Sequence, residues 1–221
     1  MAAITKDEGF TRLVERLDPH SSLLCVWPLT GGVSAQVTAF QFTRPNNQPQ
    51  TLLVRRHGER DRQRNPQIAT DEFKLLQILQ AAGIAAPAPY YLDQAGEFFA
   101  IPCLVMEYVE GVTDFAPADL AAYLHQAATH LAAIHRVAGA QQKLAFLPRQ
   151  TKGFGERPAM PDDSLHEEEL RNTLEALWPI SQVNPSALLH GDFWPGNLLW
   201  QDGRLAAVID WGGRCRGRSP C

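Results

Sequence analysis

Three oxygen-bearing side chains stand at a spacing that could do chemistry: Asp192, Asn197 five residues on, and Asp210 thirteen residues after the Asn. They lie in Leu189-His190-Gly191-Asp192-Phe193-Trp194-Pro195-Gly196-Asn197-Leu198-Leu199 and in Val208-Ile209-Asp210-Trp211. A loop carboxylate can face an acceptor hydroxyl, while an amide oxygen and a second carboxylate offer hard oxygen ligands to Mg²⁺. That combination is the acidic core of a phosphoryl-transfer site. Turn formation alone also places Asp and Asn in loops, but it does not require the layout around them. Ala187 to Leu189 leads in and Leu198 to Trp200 reads as a short apolar strand. Gln201-Asp202-Gly203-Arg204 reads as a hairpin turn, and Leu205 to Ile209 as a second strand that delivers Asp210 at its end.

These stretches resemble the catalytic loop and the metal-binding strand end of the aminoglycoside phosphotransferase and choline kinase group, small-molecule kinases with a protein-kinase-like fold. Gly191 stands where protein kinases usually carry Arg in their His-x-Asp triplet, and Trp211 follows the metal Asp where they carry Phe-Gly. Both departures point to a small-molecule acceptor. The resemblance implies an α+β, two-lobe fold. A small antiparallel-sheet nucleotide lobe would span 1–109 and end in a hinge, and an incomplete, mostly helical catalytic lobe would span 110–211. It implies transfer of the γ-phosphoryl group of ATP, with Mg²⁺, to a hydroxyl of a small molecule; GTP stays open as the donor. Asp192 is then the catalytic base, Asn197 and Asp210 hold the metal, and His190 braces the loop.

The remaining elements are read around that core. Phe10, Leu13, Val14 and Leu17 predict an opening amphipathic helix. Leu23 to Leu29 and Val37 to Phe42 predict strands joined by Thr30-Gly31-Gly32-Val33-Ser34-Ala35. That joint is either an ordinary hairpin or, as the resemblance implies, a cover over the phosphates, with Gly31 and Gly32 allowing close approach and Ser34 donating. Thr51 to Arg56 predicts the third strand, which lacks Lys. Arg55 is the candidate grip on the α- and β-phosphates, against a reading of Arg55 and Arg56 as solvated edge charges. Gln67 to Ala82 predicts a helix whose apolar stripe includes Glu72. A carboxylate buried there needs a partner, for which Arg55 is the candidate, unless Glu72 lies exposed on the flank. Phe98 to Tyr108 predicts a strand running into a hinge at Leu104 to Gly111. By the resemblance the adenine lies near Glu107, Tyr108 and Val109. Leu120 to His135 predicts a long amphipathic helix, Pro148 to Asp163 a loop, and Ser164-Leu165-His166-Glu167 a capping box opening a helix through Leu177.

Composition narrows the partners. The chain has 221 residues, 45% of them apolar, and a formal charge of −4. No basic block offers a nucleic-acid face, and no apolar run approaches the ~20 residues of a membrane span. Four scattered cysteines lack metal-ligand spacing, and the N-terminus lacks signal-peptide character, so a cytoplasmic protein without a protein partner is the expectation. Gly212 to Cys221 differs in character from everything before it and is expected to be an out-of-frame tail. Shifting its frame by one base allows Glu-Asp-Ala-Ala-Val-Gly-Asp-Pro-Leu, a continuation of the type the resemblance implies. On that expectation the helices over 120–136 and 164–178 expose apolar surface. A nucleotide-binding pseudokinase, or an inactive product of such a kinase, is the alternative. A protein kinase is disfavoured because no Ala-Pro-Glu follows Asp210.

Overall fold

The computed structural model describes residues 8–29, 35–137, 143–148, 160, 164, 166–177, 186–213 and 215–218. The expected phosphate cover, Gly31, Gly32 and Ser34, lies outside the described residues, as do most of the loop expected over 148–163 and part of the expected capping box. Five strands, β1 (Ser22–Leu29), β2 (Ala35–Thr43), β3 (Pro49–His57), β4 (Pro89–Asp93) and β5 (Cys103–Glu107), form an antiparallel sheet in the order β1-β2-β3-β5-β4.

Strand alternation divides the sheet into two faces. Leu52, Val54, Cys103 and Val105 meet Phe10, Leu13 and Val14 of α1 (Glu8–Leu17). On the other face, Leu104 and Met106 join Leu75, Leu76 and Leu79 of α3 (Ile68–Ala81), and this core runs on into the second half of the chain. Position 55 has the parity of Leu53, so Arg55 projects toward α3; Arg56 projects the opposite way and lies over the ring of Phe99 at 4.7 Å. Parity alone therefore decides which of the two arginines reaches Glu72.

The second core gathers Tyr123, Ala127 and Ile134 of α4 (Leu120–His135) against a hairpin of β7 (Leu198–Gln201) and β8 (Arg204–Val208). Asp119 caps α4, its side chain accepting from the Ala122 N–H. Asp202 and Gly203 turn the hairpin with φ of 50° and 73°, as a two-residue turn between right-twisted strands requires. Two backbone ties fix this hairpin to the rest. Val112 and Trp200 exchange N–H···O bonds of 2.9 and 2.8 Å, and Val208 N–H donates to Ala85 O at 2.8 Å.

The structure corrects two expectations. The strand expected to begin at Phe98 begins at Cys103. The buried Asp93 carboxylate accepts from the N–H groups of Gly96, Glu97 and Phe98, which holds the chain in a turn through 97–99 before a strand can start. Residues 59–64, not read as an element from the sequence, form a short helix, α2 (Glu59–Arg64), with acids in its first turn and Arg in its last. Leu120 and Leu124 of α4 are exposed, in line with the apolar surface expected over 120–136. On α5 (Glu167–Leu177) Leu170, Leu174 and Leu177 are exposed as well. The backbone of β9 (Cys215–Arg218), within the stretch expected to be out of frame, pairs antiparallel with β6 (Ser186–Leu189). Among the described residues no helix is long and apolar enough to cross a membrane.

Candidate active site

The loop after β6 is built around a buried histidine. His190 is 1% exposed, with its Nε2 2.9 Å from Ile209 O. The Asp192 N–H lies 3.3 Å from Nδ1. Nδ1 must accept, so the ring is the Nε2–H tautomer and Nε2 donates to the carbonyl just before Asp210. One neutral ring thus ties the backbone at 192 to the backbone at 209. Trp211 packs edge-on against it, with ring centroids 4.5 Å apart. Gly191 has φ 85°, a conformation open to glycine. Gly196 lies under the Trp194 ring, where an added Cβ would sit 2.4 Å from it.

Burial lowers the His190 pKa, overcoming the hydrogen bond the ring donates to the Ile209 carbonyl and the nearby Asp210 and Asp192 carboxylates. A group with a depressed folded pKa contributes stability above its unfolded value, and that contribution is lost as pH falls below about 6.5 toward the folded value. His130 and His135 are shifted in the same direction, also by burial. Urea unfolding between pH 7.5 and 5 is therefore expected to show stability dropping on the acid side, with a shallower drop in His190→Gln. An unchanged pH slope in that variant would contradict the brace.

The short helical turn Pro195–Asn197 brings Asn197 back to Asp192. Its Nδ2 donates to Asp192 O at 2.8 Å and to Asp192 Oδ2 at 3.0 Å, and its main-chain carbonyl accepts from Ile209 N–H at 2.9 Å. Asp210 follows in the left-handed region, φ 58°, uncommon for a non-glycine residue and a frequent mark of functional sites. The apolar strand β8 delivers it there, one residue past Ile209.

Across the cleft, the Arg55 fork reaches two carboxylates. Nη2 lies 2.7 Å from Asp210 Oδ1, and Nε lies 3.5 Å from Glu72 Oε2. Burial works against the charge of Arg55, but Glu72 and Asp210 together outweigh it and raise its pKa. Glu72 is 2% exposed, so it is not a solvated flank residue, and its Oε2 also lies 2.9 Å from His57 Nε2. His57 was not singled out in the sequence; its one available signal is parity, since 57 shares the face of 55.

A cavity of about 380 Å³ joins these groups. Leu29, Val37 and Leu53 line it from the sheet, Glu107, Tyr108 and Val109 from the end of β5, and Arg55, Glu72, Asn197, Ile209 and Asp210 from its floor. Asp192 is exposed and does not line it, but is linked to it through Asn197. The Glu107 N–H is committed to Ala88 O at 2.8 Å and its Oε2 accepts from Ala88 N–H at 3.0 Å, which ties the end of β5 to the segment before β4. Among the described residues no three His, Cys, Asp or Glu side chains form a metal cluster. The oxygen-bearing side chains on this floor are two carboxylates, Glu72 and Asp210, and one amide, Asn197.

The chain matches known proteins over most of its length. Residues 27–217 match the model of the Phosphotransferase enzyme family. Among solved structures, the GDP complex of a mutant aminoglycoside 2'-phosphotransferase-IIIa aligns with a TM-score of 0.68 at 16% identity, covering 96% of this chain and 73% of that one. The streptomycin–ATP ternary complex of APH(2")-IIa aligns at 0.64 with 17% identity, covering 99% and 73%. The macrolide 2'-phosphotransferase MphH from Brachybacterium faecium aligns at 0.62 with 19% identity, covering 96% and 73%. The chain spans 65% to 73% of the length of the first solved structures it matches. The shared architecture is the α+β, protein-kinase-like fold. Together with the family match it places the chain in the phosphotransferase enzyme family.

Proposed function

We propose that the protein is a phosphotransferase that moves the γ-phosphoryl group of ATP to a hydroxyl of a small molecule. The observation that carries this reading is the bond from Asn197 Nδ2 to the Asp192 carboxylate, with Asn197, Asp210 and Arg55 all lining one cavity. One face of Asn197 orients a base and the other faces the nucleotide. Tyr108 and Val109, just beyond β5, offer backbone groups to the purine; the Glu107 N–H is already used within the protein.

The donors at the floor fit a divalent cation. The Asn197 nitrogen is committed to Asp192, which leaves its carbonyl oxygen for a hard ion, and Asp210 adds a carboxylate beside it in the same cavity. A magnesium ion held there supplies charge neutralisation on the transferring phosphate. Arg55 then has to exchange Asp210 for the α- and β-phosphates, a bidentate partner its planar fork suits. Asp192 takes the proton of the acceptor hydroxyl while that oxygen bonds to the γ-phosphorus and the bond to the β–γ bridging oxygen breaks, releasing ADP.

The test is ADP release from ATP and Mg²⁺ against a panel of alcohols: aminoglycosides, macrolides, choline and hydroxy-amino acids. One class is expected to raise ADP release well above the rate with water alone, and thermal stabilisation by ATP and Mg²⁺ is expected without any acceptor. Stabilisation with no acceptor-dependent turnover would mark a nucleotide-binding protein that is not a transferase.

A further inference from the structure

Arg55 and His57 project from one face of β3 and are 7% and 3% exposed. Both approach the same oxygen of α3: Glu72 Oε2 lies 3.5 Å from Arg55 Nε and 2.9 Å from His57 Nε2. Neither contact is aligned as a hydrogen bond, and the His57 nitrogen is the nearer of the two. The two differ in what else they touch. Arg55 lines the cavity and holds Asp210, whereas His57 does not line it. The His57 carbonyl accepts from Arg62 Nε at 3.2 Å, which anchors this end of β3 to α2.

We propose that His57 is a positioning residue for nucleotide binding: it holds Glu72 in register against the sheet while Arg55 changes partners. This rests on the function proposed above. Phosphates entering the cavity compete with Asp210 for the Arg55 fork, and as that fork turns, its long contact to Glu72 is the one at risk. A buried carboxylate that loses a charged neighbour is expensive to keep in place. The His57 contact comes from outside the cavity, so the nucleotide does not compete for it. Glu72 keeps its place, and through Glu72 the Arg55 stem stays aimed at the phosphates.

The test is a titration of a fluorescent ATP analogue with Mg²⁺ into the wild-type chain and two amide variants. The amide of His57→Gln falls near the Nε2 position that meets Glu72, whereas that of His57→Asn falls near Nδ1 and stops short. His57→Asn is expected to bind the analogue about tenfold more weakly, the usual size of a lost supporting contact, and His57→Gln to recover most of that loss. Because His57 acts through Glu72, adding His57→Asn to Glu72→Gln is expected to cost no further affinity. His57→Leu, which preserves packed volume, replaces Asn if that variant does not melt cooperatively. A wild-type chain that fails to bind the analogue overturns the phosphotransferase reading and this inference with it. A wild type that binds, with Asn and Gln variants binding alike or with additive losses in the double variant, overturns the role of His57 alone.

Discussion

Asp192→Asn is expected to cut acceptor-dependent turnover by about 10²–10⁴-fold, the usual worth of a positioned base. Nucleotide affinity should barely change, because Asp192 does not line the cavity proposed to take the nucleotide. Loop structure should survive as well. Asn197 also bonds the main-chain oxygen of residue 192 at 2.8 Å, and His190 holds the N–H of the same residue, so neither tie needs the carboxylate. The substitution therefore removes proton acceptance and little else. Turnover with the best acceptor, measured beside a fluorescent-nucleotide titration, separates the two effects. Wild-type turnover in Asp192→Asn would remove Asp192 from the chemistry. A parallel loss of nucleotide binding would mean that the loop, and not the base, had been disturbed.

How much of this was legible in the sequence depends on the range of the interaction. The hairpin carrying Asn197 and Asp210 could be read because its strands, its Asp-Gly turn and its flanking apolar residues are neighbours in the chain. The helix at Leu120–His135 was legible for the same reason, and Leu120 and Leu124 on it are exposed, as the expectation of uncovered apolar surface there has it. A contact between Arg55 and Glu72 was expected from cost alone, since a carboxylate on an apolar stripe calls for a cation. Nothing local announces that the same guanidinium also reaches Asp210, 155 residues away. His57 was missed for a related reason, as a lone histidine at a strand end carries no pattern until the opposing helix is docked. The turn at Ala95-Gly96-Glu97 was legible, but the strand was started too early, because the hydrophobic residues from Phe98 on favour one there and the buried Asp93 carboxylate, accepting from three N–H groups, carries the turn past them.

Arg55 gives the second large effect, on stability as well as on binding. It is the buried cation between Glu72, 2% exposed, and Asp210, whose side chain is 37% exposed. Arg55→Met keeps much of the packed stem but takes the guanidinium away from the buried Glu72, whose Oε2 still has His57 Nε2 at 2.9 Å. Breaking a buried pair from one side typically costs about 3–5 kcal/mol, a large part of the ~5–15 kcal/mol that holds a domain together. The urea midpoint is expected to fall accordingly, and Mg²⁺-dependent nucleotide binding to be lost. Adding Glu72→Gln to Arg55→Met removes the stranded charge, so much of the stability should return while nucleotide binding does not, because the fork that meets the phosphates is still absent. Arg55→Lys provides the intermediate case. It keeps a charge near Glu72, but a single ammonium cannot make the contacts that Nε and Nη2 make together, so stability should fall less than in Arg55→Met. If Arg55→Met instead binds nucleotide as the parent does, the phosphates are gripped elsewhere, and the Arg55 contact with Asp210 is a structural ion pair only.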